Sequence, residues 1–179
     1  MNAYASWTGT KRNLIGLRAA GWRLLTGPPI MRRNGWQLPK WADGTTAPFA
    51  LDNGAWTAHQ KNQPFNVAAF ERAVNVAAKL ADWIVLPDIV AGGLDSLAFS
   101  LDWMPHLKDH RVLIAVQDGM VEDDIRPHID QRVGVFIGGS TDWKLDTMCR
   151  WGALTKEKNA YLHVGRVNTV RRIRRCQQA

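Results

Sequence analysis

Cysteine is almost missing from this chain. Cys149 and Cys176 are the only two in 179 residues, and neither has a partner at zinc-like spacing. Neither a disulfide framework nor a structural metal is therefore supported, and no metal or cofactor is expected. There is also no run of 18 apolar residues, so no membrane-spanning helix is indicated. The first residues, MNAYASWTGTKRN, lack the charged-then-apolar order of a signal peptide. A cytoplasmic location is the expectation. No G-x-G-x-x-G turn follows an early strand-like run, which argues against a dinucleotide-binding fold. Internal repeats and low-complexity tracts are missing too.

What remains is ordinary in bulk: 46% hydrophobic and 22% charged residues. The length suits one domain, 1–179, with a real core. Lys plus Arg outnumber Asp plus Glu by 23 to 16, a net charge of +7. That excess is compatible with a polyanionic partner, and its distribution is more informative than its size. Arg171, Arg172, Arg174 and Arg175 crowd into five residues, and Lys11 and Arg12 sit near the start. They read either as a phosphate-binding surface or as a solvated helix face. Nine tryptophans are many. Five fall in or beside periodic segments, where packing accounts for them. Trp36 and Trp41 lie outside such segments and suit either a stacking platform for bases or packing of a loop onto the body.

The chain alternates. Strand-like runs fall near 3–7, 22–26, 48–52, 83–88, 111–117, 132–138 and 160–165, with helical patterns between most of them. NVAAFERAVNVAAKLA starts at Asn66, a good N-cap, and VEDDIRPHI reads as a helix over 121–129. Residues 27–47, rich in Pro and Gly, read as a long loop without a clear helix. Such alternation predicts α/β architecture with a parallel sheet. Between an open doubly wound sheet and a (β/α) TIM-like barrel, the placement of polar residues favours the barrel. Functional residues of a barrel gather at the C-terminal ends of many different strands. Seven strands are recognisable, so the expected barrel is minimal or incomplete, with an eighth strand falling after Ala179.

FALDNGAW carries its apolar run straight into Asp52 and an Asn-Gly turn. IVLPDIV ends on Asp88, LIAVQDGM on Gln117, VGVFIGGS on Gly138 and Gly139, and AYLHVGRV on His163 and Arg166. Each has a plainer reading: an Asx turn, a strand terminator, a tight turn, a helix-entry loop. Together they would gather two carboxylates, an amide, bare backbone N–H groups, a titratable ring and a cation. Two carboxylates can divide nucleophile and acid/base roles at a sugar carbon. A carboxylate accepts from the N–H donors of a guanine edge, while Gln and glycine N–H groups donate to a carbonyl oxygen.

With those motifs in view, the sequence resembles the tRNA-guanine transglycosylase superfamily. It is most similar to the short phage and bacterial members linked to 7-deazaguanine modification of DNA. ALDNGAW is similar to the family's aspartate-plus-glycine motif, VLPDIV to its second aspartate motif, AVQDGM to its Val-Gln-Gly motif and FIGGS to its paired-glycine loop. LHVGR resembles the segment before the last barrel strand. The resemblance implies a pentosyltransferase that exchanges a base at an N-glycosidic bond through a covalent intermediate. Asp52 would serve in proton transfer; Asp88, Gln117, Gly138, Gly139, His163 and Arg166 would bind the base. Its implied partners are DNA or RNA, opened so that a base can flip, and guanine or 7-deazaguanine, in a bacterial or phage-infected cell. Homodimerisation is left open. The family's zinc cluster is not in the sequence. Its nucleophilic aspartate belongs on the strand expected after RRCQQA. Two alternatives remain: a base-excising DNA glycosylase, and an inactive barrel that binds a nucleobase or nucleic acid.

Overall fold

The computed structural model describes residues 1–177. The chain forms two compact units, Met1–Ile84 and Val85–Ala179. In the first, β1 (Tyr4–Ser6), β2 (Arg23–Thr26), β3 (Phe49–Leu51) and the start of β4 (Ile84–Val85) run parallel in chain order. Helices α1 (Lys11–Ala19), α2 (Pro28–Arg33), α3 (Ala55–Gln60) and α4 (Val67–Ala77) connect them. Leu24, Phe49, Ala50, Leu51 and Ile84 are buried with Phe70, Ala73 and Ala77 from the inner face of α4. Asn66 caps α4 by accepting the Ala69 N–H, as its sequence position predicts.

In the second unit, β5 (Val112–Val116), β6 (Val133–Ile137) and β7 (Leu162–Val164) are parallel and adjacent in that order. Leu86, just past β4, donates its N–H to Leu113 of β5. All five residues of β5 are buried, the mark of a strand covered on both faces. Helices α5 (Gly93–Trp103), α6 (Glu122–Ile125), α7 (Thr141–Glu157) and α8 (Val170–Cys176) complete this unit. Along α7, Met148, Trp151 and Leu154 recur at helical spacing and pack inward. The α/β class and all seven expected strands are therefore present, and adjacent strands within each unit run parallel.

Two expectations are corrected. The loop 27–47 contains α2, which begins on Pro28 and Pro29: proline needs no helical N–H in the first turn, and its fixed φ suits that position. Beyond that loop, α3 follows the Asn-Gly turn directly. The helix expected over 121–129 shrinks to Glu122–Ile125: Arg126 still has helical backbone, but Pro127 has no N–H to continue the ladder. No helix among the described residues is long and apolar enough to cross a membrane.

Candidate functional site

In the first unit, Asp52 is the first residue past β3. Its N–H donates to the Thr26 carbonyl at 2.7 Å, extending the β2–β3 ladder by one step. Its Oδ1 accepts the Gly54 N–H at 2.7 Å, and Gly54 holds φ at +83°. That is an Asx turn, and only a residue without a Cβ takes this backbone freely. Gly27 is required for a different reason: a Cβ there would sit 2.9 Å from the Asp52 carbonyl oxygen. The buried Thr26 hydroxyl, at the end of β2, has no hydrogen-bond partner among the described residues. Desolvation raises the Asp52 pKa, and the single Gly54 bond offsets it only in part.

The second unit holds the Asp88 segment by its neighbours. Ser100 of α5 donates to the Pro87 carbonyl at 2.8 Å, and Ser96 accepts the Ile89 N–H at 3.0 Å. Gln117, the first residue past β5, is 4% exposed. Its Nε2 donates to the Ile89 carbonyl at 2.9 Å and its Oε1 accepts the Ala91 N–H at 2.6 Å. Both ends of this amide are thus engaged by the loop after Asp88. Binding a base oxygen would require Gln117 to exchange one of those bonds.

Asp118 ties the next two strand ends together. It accepts the Ser140 N–H at 2.6 Å and the Ser140 hydroxyl at 2.5 Å. Against desolvation, the largest influence on it, these bonds lower its pKa. Gly139 holds φ at +63°, and a Cβ there would lie 2.6 Å from Asp118 Oδ2 and 2.7 Å from the Trp143 ring. Arg166, two residues past β7, donates to the Gly139 carbonyl. Lys144, on the buried face of α7, donates to the Gly165 carbonyl at 2.5 Å. Burial first, then repulsion from Arg166 and Arg172, lowers its pKa to about 8.

His163 departs from its expected place. It lies inside β7 rather than past it, in register with Phe136, and the two rings stack at 5.2 Å. Desolvation, then the Lys144 charge, lowers its pKa to about 4, so the ring is neutral at neutral pH.

Gln117, Gly138, Gly139 and Arg166 therefore meet at the ends of adjacent strands, with Asp88 in the segment that Gln117 clamps. Lys11 and Arg12 are exposed in the first turn of α1, in the other unit from Arg171, Arg172, Arg174 and Arg175 on α8. Trp41 is buried, and the Arg72 guanidinium lies 4.7 Å over the half-buried Trp36 ring, so both tryptophans pack. Sequence reasoning passed over Ser96, Ser100, Asp118 and Lys144. Ser96 and Ser100 carried one signal, polar residues on the apolar face of a helix, and Asp118 another, a carboxylate opening a strand-end turn; Lys144 carried none, because a helical lysine is solvated by default. Among the described residues no three His, Cys, Asp or Glu side chains could hold a metal ion together. No family model matches the chain, and neither a curated protein nor a solved structure matches it.

Proposed function

We propose that the parallel strands belong to a minimal (β/α) barrel and that the protein is a cytoplasmic nucleobase-exchanging glycosyltransferase acting on guanine or 7-deazaguanine in DNA or RNA. The bond broken joins the sugar carbon to the resident base, and the bond formed joins that carbon to the incoming base. One observation carries the reading: polar side chains or a bare glycine follow the C-terminal ends of different parallel strands, Asp52 after β3, Asp88 after β4, Gln117 after β5 and Gly138 after β6. Asp52, with its raised pKa, suits proton transfer to or from the departing base. Asp88 would accept from the guanine edge, and the Gly139 N–H would donate to its carbonyl.

A binding-only reading is favoured by one fact, that both ends of the Gln117 amide are already engaged. The deciding experiment incubates the protein with duplex DNA, and separately with tRNA, in the presence of labelled 7-deazaguanine. Label in the nucleic acid, reduced about 10²–10⁴-fold by Asp52→Asn, is the expected result. Abasic sites without label would make the protein a glycosylase. Neither product, with guanine binding retained in calorimetry, would leave a binding protein.

A further inference from the structure

Helix α7 buries a charge in its apolar stripe. Met148, Trp151 and Leu154 form that stripe, and Lys144, 5% exposed, heads the same row. A buried ammonium is costly unless an anion or several acceptors meet it. Among the described residues Lys144 has one acceptor, the Gly165 carbonyl, and no ion pair with a carboxylate. The charges that act on it most strongly are cationic. Arg166 and Arg172 line the same groove, with Val164 and Met148 as apolar walls and Thr141 beside them. Arg172 is held at 2.7 Å by a neutral acceptor, Asn168 Oδ1. Asp118, the one carboxylate whose field reaches Lys144, already accepts two bonds from Ser140. Lys144 and Arg172 are held by neutral oxygens, both Arg166 and Arg172 repel Lys144, and an anion in the groove relieves that repulsion.

We propose that the groove between α7 and the β7–α8 connection, with Lys144, Arg166, Arg172 and the Thr141 hydroxyl, binds a phosphate group. Guanidinium forks match pairs of phosphate oxygens, and the ammonium supplies a point charge to a third. The phosphate can be a nucleic-acid backbone diester or the terminal group of a free nucleotide; the chemistry is shared. The proposal stands on the groove alone and holds whether or not bases are exchanged. It moves Arg166 from base to phosphate recognition and adds Lys144, which composition and spacing did not single out.

The test titrates inorganic phosphate into the ¹⁵N-labelled full chain at neutral pH and follows the amides of Thr141, Lys144, Gly165 and Arg172. Saturable shifts are expected, weakened about tenfold or more by Lys144→Met and by Arg172→Gln and unchanged by Arg12→Gln in the other unit. Lys144→Met keeps the stem and removes the charge; circular dichroism checks its fold. Arg172→Gln, on the last helix, tests the groove even if that variant unfolds. A short duplex and guanosine monophosphate then compete for the bound phosphate. Displacement by the duplex assigns a backbone phosphate, displacement by the monophosphate alone assigns a nucleotide, and either supports the site. Shifts that do not saturate, shifts of full strength in Arg172→Gln, or displacement by neither competitor overturn it.

Discussion

Asp52 and Asp118 both stand just past a parallel strand, and the fold treats them in opposite ways. Asp52, after β3, has lost water and gained one backbone donor, so its pKa rises. Asp118, two residues past β5, is exposed and receives both the N–H and the hydroxyl of Ser140, so its pKa falls. Residue type and sheet position are alike; the number of donors and the remaining solvent differ. A desolvated carboxylate with one donor is suited to hold and release a proton. A solvated carboxylate with two donors stays an anion and acts as a clamp. Proton chemistry fits the first, and alignment of the second unit's strand ends fits the second.

The clamp is where the contrast breaks hardest. A methyl at Gly139 would meet Asp118 and Trp143 inside 3 Å while the backbone holds φ at +63°. Gly139→Ala should therefore cost about 2–4 kcal/mol. Gly54→Ala at the Asp52 turn meets Pro29 at 3.1 Å with φ at +83° and should cost about 1–2 kcal/mol. Urea denaturation of both variants gives the order. A reversed order would make the β3 turn the tighter of the two ends.

Asp118→Asn comes next. The amide still offers one acceptor but loses the charge that strengthens the Ser140 bonds. Most of the gain is screened by solvent, so the loss at neutral pH should be about 1 kcal/mol. Because the folded pKa lies below the unfolded one, this stabilisation is complete above 3.8 and disappears as pH falls through the folded value. Thermal unfolding of wild type and variant should therefore converge below pH 3.8. A constant gap at low pH would mean that shape rather than charge holds the clamp.

Strand positions were legible in the sequence because runs such as VLIAV are short, rich in β-branched residues and bounded by polar ones, which suits a covered parallel strand. Asp52 and Gln117 were legible because each breaks such a run with a polar group and a turn. Their partners were not. Whether Gln117 faces a ligand or the Ile89 and Ala91 backbone depends on a loop 26 residues away in the chain for its nearer partner, Ala91. Lys144 was hidden because a lysine within a helix is solvated by default, and only packing of α7 shows it in the buried row. Helix α2 was missed because Pro-Pro reads as a loop until a glycine N-cap precedes it.

Asp52→Asn should produce the smallest effect and the opposite sign. With the folded pKa raised, the native state binds more protons than the unfolded chain between 3.8 and that folded value. Stability then falls as pH rises through the window, and above it the native state carries the full penalty of a desolvated anion. Asparagine removes the anion while its Oδ1 remains able to accept the Gly54 N–H. At neutral pH the variant should equal wild type or exceed it by up to about 1 kcal/mol, and the advantage should vanish as pH falls to 3.8. If bases are exchanged as proposed, that activity should move the other way, because an amide cannot relay the proton. A variant less stable than wild type at neutral pH, with the gap closing as pH falls below 3.8, would make Asp52 an ionised cap like Asp118. The proton-transfer assignment would go with it.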